Sequence, residues 1–212
     1  MKVDLRSRYK ELYKASAMEP QLVKVPKLPF LMIDGQGNPG GLEFQDAVGT
    51  LYGTTYALKF NYKNATPARD FSVMPLEGLW WCDGIPGFDM DRKDLWRWTL
   101  MILQPEFVDK PSVKLAVNSL GEKRGRTPAM AKLRLANFCE GKAVQILHIG
   151  PYSAERTTIG RIEAYMEAKN LVATGKHHEI YMSDPRRTAP AKLKTILRVP
   201  VGRTTQVAAA QA

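Results

Sequence analysis

Two stretches of the chain share one order of predicted elements, and this duplication limits the possible folds more than any other feature. Residues 21–103 and 142–201 each give a strand, a loop with glycine and proline, a helix and two more strands. The loops correspond, with G-N-P-G in the first stretch and G-P-Y-S in the second. The period is too long for a solenoid repeat and indicates a duplicated module. Two such modules can join their sheets about a pseudo-two-fold axis, with a ligand cleft at the seam.

The elements themselves follow from hydrophobic spacing and from breaking residues. Alternating or continuous apolar runs predict strands at 21–33, 71–82, 95–103, 131–138, 142–149, 177–185 and 193–201. Helical spacing predicts helices at 43–59, at 105–119 and from Ser153 to about Asn170. Ser153 is expected to cap the last of these helices. The strands at 71–82 and 95–103 are expected to form a hairpin with a long loop, which could cover the cleft.

The predicted fold class is α+β. Duplicated strand-helix-strand-strand modules are expected to form a curved, mainly antiparallel sheet of about seven or eight strands, with helices on one face and the ligand cleft on the other. Residues 1–20 would be an N-terminal arm, 21–201 a single domain and 202–212 a flexible tail. Within the domain we assign 21–104 to module one, 105–141 to a connecting helix and strand, and 142–201 to module two.

Composition narrows the classes of protein that the chain can belong to. No run of 18 apolar residues predicts a membrane span, and the mixed-charge N-terminus lacks an apolar signal core, so a cytoplasmic location is expected. Cys82 and Cys139 have no metal spacing and are interpreted as reduced thiols. The net charge of +10 is spread along the chain without a long basic run or a DNA-binding motif. We therefore expect a basic, solvated surface and no specific nucleic-acid partner.

The segment H-H-E-I-Y-M-S-D-P at 177–185 carries the most unusual candidate residue. On a strand, His177, Glu179 and Tyr181 point to the same face. Glutamate is depleted in strands and is rarely buried without a partner. Glu179 therefore lies either on the solvated face of a half-exposed strand or at the floor of a ligand cleft.

The duplication gives Glu179 a counterpart. It aligns M-P-L-E-G-L-W-W with K-H-H-E-I-Y-M-S and so places Glu77 opposite Glu179. A carboxyl group surrounded by aromatic rings has a raised pKa and can serve as an acid or base near neutrality, whereas an ionised one attracts cationic, aromatic ligands. The plainer alternative for Glu77 is a salt bridge on the face of the sheet.

Aromatic residues supply candidate walls for the cleft. All four tryptophans lie between positions 80 and 98, and indole faces suit flat or cationic ligands. Trp81, in phase with Glu77, and Trp98 are the candidate ligand-binding tryptophans, with burial in the core as the alternative. Tyr152 lies in the Gly-Pro turn and Tyr181 is in phase with Glu179, so either phenol could orient a water or donate to a leaving oxygen.

Metal and cofactor sites are not predicted. His177 and His148 have no third ligand at a suitable spacing, and the loop D-G-Q-G-N-P-G-G has neither dinucleotide-binding nor Walker spacing. His177 is therefore assigned to ligand binding beside Glu179.

Four segments together resemble the GyrI-like small-molecule-binding family. They are P-L-E-G-L-W-W at 75–81, W-R-W-T-L-M-I-L-Q-P at 96–105, H-I-G-P-Y at 148–152 and H-E-I-Y-M-S-D-P-R-R at 178–187. The resemblance covers nearly all of 21–201 and implies a stand-alone member. It also implies capture of drug-like cations and hydrophobic molecules, and in one branch hydrolysis of the cyclopropane ring of DNA-alkylating compounds.

Three hypotheses follow from the resemblance. In the first, the protein hydrolyses a cyclopropane-bearing alkylator for detoxification, with Glu179 activating a water and Tyr152 orienting the water or the ligand carbonyl. In the second, the same cleft only binds or sequesters a small molecule. In the third, the protein modulates a DNA enzyme, which the positive charge fits poorly because DNA mimics should be acidic. Either a monomer or a homodimer is compatible with the sequence.

Overall fold

Nine strands form one large sheet in the computed structural model, which describes residues 2–65, 67–84 and 91–203. Their order is β2-β8-β11-β10-β5-β6-β3-β7, and β9 pairs with the far end of β11. All of these pairs are antiparallel, whereas β1 and β4 form a separate parallel pair. The strands are β1 Lys2–Val3, β2 Gln21–Val25, β3 Leu28–Gln36, β4 Asp70–Phe71, β5 Leu76–Cys82, β6 Trp96–Leu103, β7 Arg134–Phe138, β8 Gly141–Ile149, β9 Leu171–Ala173, β10 His177–Tyr181 and β11 Lys194–Arg203.

Six α-helices accompany the sheet in the described residues: α1 Leu5–Arg8, α2 Lys10–Tyr13, α3 Leu42–Asn64, α4 Lys110–Arg124, α5 Pro128–Lys132 and α6 Glu155–Ala168. Helix α3 buries Leu51 and Leu58, two turns apart, against the sheet. Helix α4 begins where the Asp109 carboxylate accepts a hydrogen bond from the Ser112 backbone N–H at 2.9 Å, and it ends at Gly125, which has a φ of 84°. The combination of helices and an open antiparallel sheet confirms the predicted α+β class.

Several boundaries differ from the predicted ones, each for a local reason. The strand predicted at 21–33 is divided into β2 and β3 at Pro26, whose nitrogen cannot donate a ladder hydrogen bond. The first two residues of the strand predicted at 131–138 belong to helix α5, because Pro128 suits a first helical turn, and strand β7 begins only at Arg134. Ser153 does not cap α6; it lies in the 3-10 turn Tyr152–Ala154 that precedes the helix. The predicted hairpin is present as β5 and β6, but residues 85–90 of its loop lie outside the described part.

The two modules meet where β10 pairs with β5 at the centre of the sheet. On either side, β8-β11-β10 belong to module two and β5-β6-β3 to module one. Helices α3 and α6 lie on the same face: Phe44 of α3 stacks on Trp80 of β5, and Ile162 of α6 packs with Leu197 of β11. Cross-strand partners share a face, so the register can be used to assign every side chain at the seam.

The opposite face is covered near the seam by the N-terminal segment. Leu5, Leu12 and Tyr13 of α1 and α2 are buried. The Leu12 carbonyl accepts a hydrogen bond from Arg198 of β11 at 2.6 Å. The predicted arm is therefore packed onto the sheet.

No helix among the described residues has the length and apolar character to cross a membrane. Of the predicted tail at 202–212, Gly202 and Arg203 belong to β11, and residues 204–212 lie outside the described part of the chain.

Candidate functional site

Glu179 faces the helices and not the free face that the sequence predicted for the cleft. Its cross-strand partner is Gly78, and the next pair on the same face is His177 with Trp80. Trp80 is stacked beneath Phe44 of α3, with ring centroids 5.9 Å apart. The candidate site therefore lies at the seam, between α3 and α6, on the face that carries these helices.

A hydrogen-bonded row of side chains holds the Glu179 carboxylate, which is only 8% exposed. The Trp80 indole N–H donates to the Tyr181 hydroxyl at 3.1 Å. The Tyr181 hydroxyl in turn donates to Glu179, and burial, followed by the negative charge of Glu179, raises the Tyr181 pKa well above its ordinary value. His177 Nε2 lies 3.3 Å from Glu179 Oε1. The carboxylate is thus fixed in place while its surroundings are kept nearly dry.

Glu155 is a second carboxyl group in the same place, and the sequence did not indicate it. It occupies the first turn of α6, is 1% exposed, and its Oε1 has no hydrogen-bond partner among the described residues. Burial, and then the charge of Glu179, raise the pKa of Glu155 to about 9. A helix N-terminus would by itself favour the ionised form. Here burial and the neighbouring carboxylate outweigh that preference, so Glu155 carries a proton at neutral pH.

Tyr152 lies where the site meets solvent. It is 37% exposed, and its ring is edge-on to Tyr181 with centroids 5.9 Å apart. Burial and the charges of Glu179 and Glu155 raise the Tyr152 pKa to about 12. Its phenol is therefore a hydrogen-bond donor throughout the physiological range.

Gly78 provides the space opposite Glu179. A Cβ at this position would lie 2.8 Å from Trp80 Nε1 and 3.1 Å from the Tyr181 hydroxyl oxygen. Any side chain here would press on the row that holds Glu179, so the backbone approach needs glycine.

Glu77 lies on the opposite face of the sheet. The register shows this. Glu77 pairs with Ile180, whereas the next residue, Gly78, pairs with Glu179. Because neighbouring residues on a strand point to opposite faces, Glu77 and Glu179 lie on different sides of the sheet. The structure therefore does not bring the two carboxylates together, although the duplication aligns them. The structural counterpart of Glu179 at the seam is Gly78.

A buried ionic network surrounds Glu77 instead. Its carboxylate accepts from the Tyr13 hydroxyl at 2.6 Å and lies 3.0 Å from His178 Nε2. His178 Nδ1 lies 3.1 Å from both Glu140 oxygens, and Arg198 Nη1 is 3.3 Å from Glu140. Burial alone would lower the His178 pKa, but the two carboxylates raise it to about 9. In this network each charged group has a partner of opposite charge, so we assign it a role in stabilising the fold.

The two candidate tryptophans are not among the groups that contact Glu179. Trp81 points to the Glu77 face, where the Lys176 ammonium lies 3.1 Å from its ring centroid. Trp98 is on the helix face but fully buried, edge-on to Phe44 at 5.3 Å, and it lines a depression of about 450 Å³ at the start of α3. Trp80 is the tryptophan that reaches the site. The sequence does not indicate that Trp80 pairs with His177, because this pairing depends on the register of β5 against β10.

Of the predicted site residues, the structure brings together Glu179, Tyr181, His177 and Tyr152. In the described part of the chain, no three His, Cys, Asp or Glu side chains form a group that could hold a metal ion.

Comparison with known proteins relates the chain to a protein family. A family model described as GyrI-like small molecule binding domain matches residues 18–201. No curated protein sequence matches the chain. Three similar solved structures come from Listeria innocua. An uncharacterised conserved protein is 39% identical, with a TM-score of 0.88, covering 94% of this chain and 100% of its own.

The other two structures are described as hydrolases. One is 37% identical with a TM-score of 0.86, covering 95% of this chain and 100% of its own. The second is also 37% identical, with a TM-score of 0.83, and covers 94% of this chain and 100% of its own.

Proposed function

The chain belongs to the GyrI-like small-molecule-binding domain family, and we propose that it captures a hydrophobic, planar small molecule at the seam and hydrolyses it. The observation that carries the proposal is the buried Glu179 carboxylate, which accepts from Tyr181 and lies 3.3 Å from His177 Nε2, behind a Tyr152 ring that is 37% exposed. A ligand that enters past Tyr152 meets aromatic faces first and a carboxylate behind them. That arrangement suits a flat molecule with either a cationic or a polarised reactive centre.

For the ligand class we propose cyclopropane-bearing DNA-alkylating compounds in which the strained ring is conjugated to a carbonyl. Glu179 would take a proton from a water molecule, and the water oxygen would bond to a ring carbon. The ring C–C bond breaks, and its electron pair moves to the carbonyl oxygen, which becomes a hydroxyl group when it takes up a proton. Tyr152 would donate a hydrogen bond to the oxygen on which negative charge develops.

Two observations support hydrolysis over simple capture. Glu179 and the Tyr152 hydroxyl belong to the same cluster but occupy different positions in it, one buried and one near solvent, as a base and an oxyanion donor require. In addition, two similar proteins of known structure are described as hydrolases.

The experiment is incubation of the purified protein with a spirocyclopropyl cyclohexadienone, with ring-opened product followed by mass spectrometry. Glu179→Gln keeps the shape of the side chain and removes the base, so we expect product formation to fall about 100-fold or more. Glu163→Gln is the matched control, since Glu163 is exposed on α6.

Two outcomes would contradict the proposal. If the wild-type protein binds the compound but yields no product above buffer, the function is sequestration without turnover. If Glu179→Gln opens the ring as fast as the wild type, Glu179 is not the base.

A further inference from the structure

The proton that the ligand's carbonyl oxygen takes up needs a source, and the roles of Glu179 and Tyr152 do not supply one. We propose that Glu155 is a third catalytic residue, whose carboxylic acid delivers this proton as the ring opens. The inference rests on the proposed hydrolysis and assigns to Glu155 a role of its own within it.

The position of Glu155 is fixed by the start of α6. The preceding turn carries Tyr152, so the two side chains are three residues apart at the same end of the helix. One turn further on, the Thr158 hydroxyl lies 2.8 Å from His148 Nδ1 of β8, which anchors the helix to the sheet. The Glu155 side chain is 1% exposed, with its Oε1 unpartnered among the described residues. A buried polar atom without a partner is costly, and a ligand oxygen that accepts its proton would remove that cost.

The groups that face Glu155 explain why it holds a proton. Strand β10 contributes the Glu179 carboxylate and the preceding turn contributes Tyr152, whereas the Thr195 hydroxyl of β11 acts in the opposite direction and lowers the pKa of Glu155. On β8, His148 contacts α6 through Thr158. Both ring nitrogens of His148 are already engaged, with Thr158 and with the Pro151 carbonyl oxygen at 3.2 Å. A negative charge close by in a water-poor site disfavours ionisation of a second carboxyl group, so burial and the charge of Glu179 together keep Glu155 protonated.

Glu155 is a better proton source than Tyr152. The pKa of Glu155 is about 9, whereas that of the Tyr152 phenol is about 12. A general acid is most effective when its pKa lies near the working pH, because it must be protonated and yet able to release the proton. Tyr152 therefore remains a hydrogen-bond donor, and Glu155 is the group that ionises.

The proton balance closes within the pair. In the reaction Glu179 gains a proton from water and Glu155 loses one to the carbonyl oxygen. The net change is addition of one water molecule, with its hydroxyl group on the ring carbon and its hydrogen on the former carbonyl oxygen. The site begins with Glu155 protonated and Glu179 ionised and ends with the reverse. Transfer of one proton between the two carboxyl groups restores the starting state without any co-reactant.

Single-turnover ring opening of the same dienone, measured from pH 6 to about pH 10.5, tests this role. For the wild type we expect the rate to fall as the pH rises through about 9, because the acid must be protonated to act. Glu155→Gln keeps the size of the side chain but cannot release a proton. We expect a rate about 100-fold lower, no fall near pH 9, and a dissociation constant for the dienone within about threefold of the wild-type value. Glu163→Gln on the same helix should behave as the wild type.

A measurement without turnover accompanies the kinetics. Infrared titration should show the carbonyl stretch of a protonated, buried carboxylic acid at pH 7 in the wild type and in Glu163→Gln, and not in Glu155→Gln.

The outcomes separate the two proposals. If the wild type and Glu163→Gln turn over but Glu155→Gln keeps the wild-type rate and pH profile, the role of Glu155 is overturned and hydrolysis stands. If Glu155→Gln loses only affinity, Glu155 is a binding group and the inference is likewise overturned. If the wild type binds the dienone without opening it, the hydrolysis itself is wrong, and the role of Glu155 fails with it.

Discussion

Glu77 and Glu179 are both buried, but their nearest neighbours give them different electrostatic surroundings. Glu77 is 1% exposed and is matched by the Tyr13 hydroxyl and the His178 ring, whereas Glu179 is 8% exposed and lies beside a second carboxyl group, Glu155. The partners of Glu77 bring a compensating positive charge, whereas Glu179 has the buried Glu155 as a second acidic neighbour, an arrangement that is common at functional sites. At the scale of the residue, the site is defined by the groups that surround a carboxylate and not by the carboxylate alone.

Gly78→Ala should impair ligand binding more than folding. The new methyl group would lie 2.8 Å from Trp80 Nε1 and 3.1 Å from the Tyr181 hydroxyl oxygen, so the row that holds Glu179 must shift. We expect the affinity for the dienone to fall about tenfold or more, which corresponds to about 1.4 kcal/mol, as measured by calorimetric titration. Gly49→Ala is the control, since a Cβ at this position in α3 meets nothing within 4 Å. Gly49→Ala should increase the free energy of unfolding by up to about 1 kcal/mol. If Gly78→Ala binds the dienone as tightly as the wild type, the placement of the site is wrong.

His178→Gln should be among the most destabilising single changes in the chain. It leaves the buried Glu77 and Glu140 without the charged ring between them, and breaking a buried pair in this way costs about 3–5 kcal/mol. The measurement is the free energy of unfolding in urea.

The same substitution gives a pH dependence of definite sign. The pKa of His178 is about 9 in the folded protein and about 6.5 in an unfolded chain. Its contribution is therefore complete below about pH 6.5 and is lost as the pH rises through about 9. The difference in unfolding free energy between the wild type and His178→Gln should shrink over that interval. A difference that stays constant or grows would show that the ring is not charged in the network.

At the scale of elements, the N-terminal segment closes the face of the sheet opposite to the site. Tyr13 of α2 donates to Glu77 of β5, and Arg198 of β11 donates to the Leu12 carbonyl oxygen, so both modules are joined to it. The Gln145 side chain of β8 adds a donor to the Glu11 carbonyl oxygen at 2.8 Å. The segment is thus part of the structure that keeps the seam aligned.

Tyr13→Phe tests this role of the segment. It removes the donor to a buried carboxylate while keeping the ring in the core, so we expect a loss of about 1–3 kcal/mol in unfolding free energy. Affinity for the dienone should stay unchanged, because Tyr13 lies on the other side of the sheet. Tyr165→Phe on α6 is a suitable control, and equal stability of the two variants would show that the Tyr13 hydroxyl contributes nothing.

At the scale of the whole molecule, the net charge of +10 acts over distances longer than any single contact. Some of the basic side chains at the surface are paired with acids, as in the contacts of Lys132 with Glu43 at 2.8 Å and of Arg134 with Asp34 at 2.8 Å. A diffuse positive field attracts polyanions without reading their sequence.

Binding of duplex DNA should therefore be weak and governed by salt. We expect an affinity that decreases steeply between about 50 and 200 mM salt and that does not differ between unrelated sequences. Fluorescence anisotropy with two labelled duplexes of different sequence measures both quantities. A marked preference for one duplex at about 200 mM salt would contradict the expectation that the protein has no specific nucleic-acid partner.

The sequence by itself determined the α+β class, the duplicated modules, the central hairpin and the candidate segment around Glu179. These features depend on hydrophobic period, on breaking residues such as Pro26 and on recurring motifs, all of which are local properties of a chain. Tyr152 and Tyr181 could also be predicted from the sequence, because Tyr152 lies in the Gly-Pro turn and Tyr181 is in phase with Glu179.

Only the tertiary structure decided which groups share the site. The side-chain period of a strand is two, so a difference of one residue between the aligned repeats and the actual pairing sends Glu77 to the far face and leaves Gly78 opposite Glu179. The same register brings Trp80, and not Trp81, to Tyr181. Glu155 comes close to Glu179 because α6 packs on β8 and β11, and β11 is the neighbour of β10. No local pattern can specify a contact between two residues that are 24 positions apart in the chain.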